Sequence, residues 1–346
     1  VQDVSFATLS PINAKRRAVQ ALFVGRPLSA AYFDEPRLHR AIAKSHADAP
    51  PDLVIVYSSN VAQFAADFRA TPRIMYFSDL DSRKWAQYAC HAKGPMRFVY
   101  ALEAKRLLAH ERAIAHSFSH SVVATPIELA EFHGLIPGAR VSLVRNGVDL
   151  GEFRPTGRPK RPGTMIFTGV MDYFPNIDAV TWFADQVLPR VRATRANAHF
   201  VICGSSPAAA VRRLGERPGI TVTGSVPDTR PFLEEAELFV APLRMARGIQ
   251  NKLLQAMAIG LPCVTSSPCR DATGIPEGEG MLAADAPELF AERILALLGD
   301  PGYRNDQARR ARAAVKGFGW EAQLERLDRV VDVVVGASKA RALETI

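Results

Sequence analysis

No apolar run in this chain reaches the roughly 18 residues that a membrane-crossing helix needs. The longest, "RVVDVVVGAS", is short and broken by Asp332. Cysteine is scarce. Cys90, Cys203, Cys263 and Cys269 are scattered, and the "VTSSP" between the last two is not a zinc-knuckle spacing. Buried thiols of a reduced compartment are expected. The net charge is +8, yet no five basic residues run together, which argues against a nucleic-acid arm and leaves phosphate-bearing small molecules and anionic lipid head groups. No G-x-G-x-x-G follows a strand, which disfavours a dehydrogenase. No Asp-x-Asp follows a strand in the second half; the "DLD" at 79–81 has that spacing, and no metal is assigned to it. Histidine is nearly absent from the second half, since seven of the eight precede residue 155. His110, His116 and His120 fall on or beside a basic helix and are expected to be solvated.

With 346 residues, the chain is long enough for two domains of ordinary size. In the second half "GTMIFTG", "HFVICG", "GITVTG", "LFVAPL" and "CVTS" read as strands, apolar throughout and separated by helical stretches. That pattern indicates βα units and a parallel sheet covered on both faces. In "NIDAVTWFADQVL", Asn176 is the expected N-cap, with Ile177, Val180, Phe183, Ala184 and Val187 on one face. The first half repeats the theme with "DLVIVYSS", "RIMYFSD", "HSVVAT" and "VSLVRNG", and with a long helix from Met96 to His116 whose core side is read as Phe98, Val99, Leu102 and Leu107. The glycine-, proline- and arginine-rich stretch 146–163 is the linker candidate. The expected domains are residues 1–154 and 155–346, with a C-terminal helix available to return to the first. The opening "VQDVSFATLSP" reads as the interior of a domain. An incomplete first domain with an exposed sheet edge is therefore expected, and the chain as given is expected to aggregate or to lack activity, whereas the part from about Pro155 should stand alone.

The stretch with most chemistry is Ala246 to Val264, "ARGIQNKLLQAMAIGLPCV". It places a helix start just beyond a strand end, where unpaired amides and the helix dipole favour an anion. Gly248 permits close backbone approach, and Arg244 and Arg247 flank it. Gly248, Lys252 and Gln255 share one face, while Leu253, Leu254 and Met257 face the core. A solvated surface helix would show the same periodicity.

Taken with "RNGVDLGEFRP", "FTGVMDYFPNIDAVTWF", "TGSVPDTRPFLEEAELFVAPLR" and "GFGW", this stretch resembles the retaining glycosyltransferases of the GT-B fold (glycosyl transferases group 1). Within them it is most similar to the sugar transferases of exosortase-associated exopolysaccharide clusters. The resemblance implies an α/β fold of two Rossmann-like domains facing a cleft, with a nucleotide-sugar donor held by the second. It places the donor diphosphate at Gly248, Ile249, Gln250, Asn251 and Lys252, with Gly169 letting the phosphates approach and Arg244 as a further cation. Gln255 stands where the family usually has the ribose-binding glutamate, and Arg247 where it has the glutamate that contacts the donor sugar. Both depart from the pattern; Arg247 cannot accept a hydrogen bond at all. Val226 and Asp228 fall where the family has its base-binding loop.

In the first domain, "MYFSDLDSRKWAQYA" ends a strand with Asp79 and Asp81. They are candidate catalytic carboxylates meeting acceptor or sugar hydroxyls; equally, Asp81 or Ser82 is a good N-cap. The expected activity is a retaining, metal-independent hexosyl transfer to a glycan or lipid-linked acceptor, with no cofactor and with Lys252 steadying the departing diphosphate. The expected location is the cytoplasm; contact of the basic helix Met96–His116 with anionic lipid at the inner face of the membrane is the alternative to its reading as an ordinary amphipathic core helix. An epimerase on the same fold and a non-catalytic two-lobed sugar-binding protein are the alternatives.

Overall fold

The apolar stretches read as strands form strands. The computed structural model describes residues 4–245 and 248–344, and the chain divides into two compact units, Val1–Val144 with Glu325–Ile346, and Arg145–Leu324. The division falls about ten residues before the expected one. Val148 bridges to Gly319, and Val148, Leu150 and Phe153 pack into an apolar cluster of the second unit. Burial of these side chains, more than the glycine content, decides where the segment belongs.

In the first unit, β1 (Val54–Tyr57), β2 (Arg73–Ser78), β3 (His120–Val123) and β4 (Val141–Leu143) pair in parallel in the order β1-β2-β3-β4. β1 is an edge strand with Ile55 and Tyr57 exposed. Residues 4–30 contribute helices and no strand.

The long helix here is Pro95–Ser117, and its buried face differs from the expected one. Phe98 is 76% exposed and Leu102 38%, while Glu103, Leu107, Glu111 and Ile114 are buried. The reason is electrostatic. Glu103 accepts from the amides of Leu28 and Ser29 and from the Ser29 hydroxyl, at the start of the helix Leu28–Phe33. Glu111 accepts from the amide and the hydroxyl of Ser82, at the start of the helix Asp81–His91. One helix thus satisfies the open amides of two others. His110 is also drawn inward: its Nε2 is buried, and desolvation lowers its pKa. His120 hydrogen-bonds Ser142, whereas His116 is exposed as expected.

The second unit holds β5 (Thr164–Thr168), β6 (His199–Cys203), β7 (Ile220–Gly224), β8 (Leu238–Ala241), β9 (Cys263–Thr265) and β10 (Met281–Ala283). All are parallel, in the order β10-β9-β8-β5-β6-β7. β10 has only three residues, "MLA", too few for a pattern. Apolar clusters cover both faces, as the unbroken apolar strands require. Cys203, Cys263 and Cys269 are buried among them, but Cys90 is exposed. No described helix is long and apolar enough to cross a membrane.

Candidate functional site

β5 and β8 are neighbours although β6 and β7 come between them in sequence. The sheet therefore reverses its order of strand addition between them, and ligands bind beyond the C-terminal strand ends at such a reversal. Gly169 follows β5, Gly204 follows β6, and the helix Asn251–Ile259 starts beyond β8. A β-carbon on Gly204 would lie 1.7 Å from the Gly169 carbonyl oxygen, so the two strand ends close only on bare backbone. A β-carbon on Gly169 would in turn lie 2.8 Å from Lys252 Nζ and from Asn176 Nδ2.

Lys252 occupies the first turn of its helix. Its Nζ donates to Asn176 Oδ1 at 2.7 Å and stands 4.3 Å from the centroid of the buried Phe167 ring. Asn176 is itself oriented by a 2.8 Å bond from its Nδ2 to the Val170 carbonyl. It is not the helix cap, because the helix Phe174–Trp182 begins two residues earlier with Tyr173 at the cap and Asn176 buried inside. Pro175 sets that earlier start, its fixed φ suiting the first turn. Burial pulls the Lys252 pKa down to about 8, with Cys269 acting the other way. A desolvated ammonium beside glycine backbone and helix-start amides favours an anion there.

Of the other expected residues, some share the helix start with Lys252 and others stand apart from it. Gly248 has φ +67°, a left-handed conformation suited to glycine, and Ile249 is buried under the turn. Gln250 stands at the N-cap position, with no side-chain bond to the helix amides. Asn251 Oδ1 accepts from Asn146 Nδ2 at 3.2 Å. Gln255 is partly buried on the same helix as Lys252, while Leu253, Leu254 and Met257 are core. Arg247 lies outside the described residues. Arg244 turns to the Asp178 carboxylate, so Lys252 is the less committed of the two cations. Asp228 accepts from the Arg230 amide and Nε, both at 2.9 Å, and Arg230 holds its carboxyl below the usual range. Val226 packs on the second apolar cluster.

In the first unit, Asp81 accepts from Asn60 Nδ2 at 2.7 Å and from Lys84 at 3.2 Å. It is the first helical residue, with Leu80 at the cap, so neither Asp81 nor Ser82 is the N-cap. The open amide of Ser82 is served by Glu111 instead. Asp79 follows Ser78, whose φ of +61° is uncommon for a residue with a side chain. The register of β2 against β3 also shifts at this point. Among the described residues no three His, Cys, Asp or Glu side chains form a group able to hold a metal.

Sequence reasoning passed over Gly204 and Phe167 as site residues and took Asn176 for a cap. The repeated strand-then-glycine ending in "GTMIFTG" and "HFVICG" is the signal that marks Gly204 together with Gly169.

Comparison with known proteins agrees with this architecture. The fold is α/β with parallel sheets, that of GT-B glycosyltransferase structures. Sucrose-phosphate synthase from Thermosynechococcus elongatus superposes with a TM-score of 0.69 at 18% identity, covering 87% of this chain and 78% of that one. HepE of Anabaena, solved in complex with UDP and glucose, gives 0.63 at 13% identity over 86% and 81%. Residues 162–300 match the family model described as Glycosyl transferases group 1. D-inositol 3-phosphate glycosyltransferase 2 of Catenulispora acidiphila is 25% identical over 218 residues, 56% of this chain and 51% of that protein. The match thus spans about half the length of that relative. The family match lies within the second unit, and the likeness to the solved structures is one of fold.

Proposed function

We propose that the protein is a retaining glycosyltransferase that moves a sugar from a nucleoside diphosphate sugar to a glycan or lipid-linked acceptor. The observation that carries this is the Lys252 ammonium, held by Asn176 against bare glycine backbone at the reversal of the second sheet. In the transfer, the bond between the anomeric carbon and the diphosphate oxygen breaks. An acceptor hydroxyl oxygen takes its place on the same face and passes its proton to the departing diphosphate oxygen. Charge grows on the departing diphosphate, where Lys252 and the helix-start amides stabilise it without a metal. The first unit serves the acceptor, with Asp79 as its carboxylate.

The role is in exopolysaccharide or other cell-surface polysaccharide synthesis, on the cytoplasmic face of the membrane. Support for peripheral contact comes from the helix Pro11–Val24, where Ile12 (73% exposed), Val19 (55%) and Phe23 (86%) form one stripe. Lys15 and Arg16 flank that stripe, as an anionic lipid surface requires.

Calorimetry with a panel of nucleoside diphosphates and free nucleosides tests the donor assignment, and the anomeric configuration of the product tests retention. Equal affinity for diphosphate and nucleoside would remove the reading. Conversion of a nucleotide sugar without an acceptor would point to the epimerase.

A further inference from the structure

A second basic concavity lies at the opposite end of the same sheet. Its lining comes from segments that precede strands: Lys160 before β5, Glu234 before β8 and Gly260 before β9. The Lys252 site lies beyond the strand ends instead. The cavity measures about 560 Å³, within the roughly 300–1,000 Å³ of small-molecule sites.

Its charge is one-sided. Arg158 and Lys160 come from the proline-rich stretch read as a linker, which here forms a wall. Arg309, Arg312 and Lys316 project from the opposite wall, the end of the helix Pro301–Val315 and the residue after it. Ala308 and Ala313 on the same face are short enough to leave a hollow between those cations. One lining carboxylate opposes them, Glu234, and it already accepts from the Thr156 amide at 2.7 Å and the Thr156 hydroxyl at 2.8 Å. Arg158 reaches Glu235 only at 3.9 Å, and Arg309 pairs with Asp306. Arg312 and Lys316 make no hydrogen bond or ion pair among the described residues, and Lys160 makes none either, although the carboxylates of Glu234 and Glu237 act on its charge. The Arg312 stem packs over Gly260, whose φ is +87° and where a β-carbon would stand 3.1 Å from Arg312 Cδ.

We propose that this cavity binds a small, free, phosphate-rich anion carrying at least two negative charges, such as an inorganic or sugar-linked diphosphate. Arg312 and Lys316 are two cations without partners, with Lys160 beside them, and together they exceed what one monoanion neutralises. No aromatic side chain lines the cavity, so it offers a nucleobase nothing to stack on. The site is separate from the one that Lys252 serves and does not depend on the proposed transfer activity.

The test is calorimetry with inorganic pyrophosphate at physiological salt, on the wild type, on Lys252→Ala and on Arg312→Ala/Lys316→Ala. Both paired positions are exposed, and Lys316→Glu alone gives the same comparison should the double variant melt early. The expected result is a pyrophosphate site that persists in Lys252→Ala and weakens about tenfold or more in the double variant, the effect of losing charge-assisted bonds. Unchanged pyrophosphate binding in the double variant would overturn the proposal, as would its complete loss in Lys252→Ala. Binding to phosphatidylglycerol vesicles but not to free pyrophosphate would also overturn it. Should the donor reading fail instead, Lys252→Ala changes nothing and the cavity site still binds.

Discussion

Lys252 Nζ donates to Asn176 Oδ1 at 2.7 Å, joining the helix that follows β8 to the helix that follows β5. Because this lysine is buried, its pKa falls to about 8, so it is mostly charged at pH 7 and mostly neutral at pH 9.5. An anion bound beside it favours the charged form. Diphosphate affinity should therefore fall as pH rises through about 8, and that dependence should vanish in Lys252→Ala. At pH 7 the variant should lose about tenfold to a hundredfold in diphosphate affinity, with free nucleoside nearly unaffected. Titration calorimetry at pH 7 and 9.5 on both proteins checks it; a flat wild-type profile would contradict it.

The two glycines of the site should fail differently when each is replaced by alanine. In Gly169→Ala the new methyl meets the tip of Lys252 and the Asn176 amide. Lys252 is flexible and can move, so the fold should persist while diphosphate affinity drops about tenfold. In Gly204→Ala the methyl meets the Gly169 carbonyl, which is backbone. That strain should lower the melting temperature before it alters binding. Thermal melts and nucleotide titrations of both variants separate the outcomes, and matching behaviour of the pair would contradict this account.

Much of the second unit was legible because its strands are short and mostly apolar, with β5, β6 and β7 closed by glycine, and because a helix start beyond a strand end has fixed chemistry. Lys252 and Gly169 follow from that logic. The Asn176 contact was not legible, since a buried asparagine inside a helix and one at its cap look alike in sequence. Glu103 and Glu111 were hidden for a related reason: glutamate on an amphipathic helix normally marks the wet face. Only the three-dimensional neighbourhood reveals that two helix starts need their oxygens. The boundary misled because the prolines and arginines of residues 154–163 resemble a linker, although the segment is held by Thr156–Glu234 and Arg161–Glu235 contacts.

Asp79 and Asp81 should part company on mutation. Asp81 binds Asn60 and Lys84 at the start of a helix, so Asp81→Asn should cost about 1 kcal/mol of stability through the helix dipole and the weakened ion pair. Its turnover per folded molecule should persist. Asp79 follows the strained Ser78, and Asp79→Asn should lower turnover while leaving nucleotide affinity intact. Kinetics and melting curves on the same preparations decide the matter. Normal turnover in Asp79→Asn would remove it from the acceptor side.

The carboxyl of Glu111 is fully buried and receives both the amide and the hydroxyl of Ser82. Burial raises its pKa to about 7, overriding the lowering effect of the Ser82 bonds. The ordinary value is 4.5, so between pH 4.5 and 7 the folded state holds a proton that the unfolded state has lost. Stability from this group is therefore complete below about pH 4.5 and declines as pH rises through 7, by about 3 kcal/mol over the window. Glutamine keeps an acceptor for the Ser82 amide and carries no charge to desolvate. Glu111→Gln should accordingly flatten the dependence over this window and leave the protein at least as stable as wild type at pH 8. Urea unfolding at pH 5 and pH 8 on the two proteins measures this. If the variant is the less stable of the pair at pH 8, the ionised carboxylate contributes more to the helix start than its burial costs.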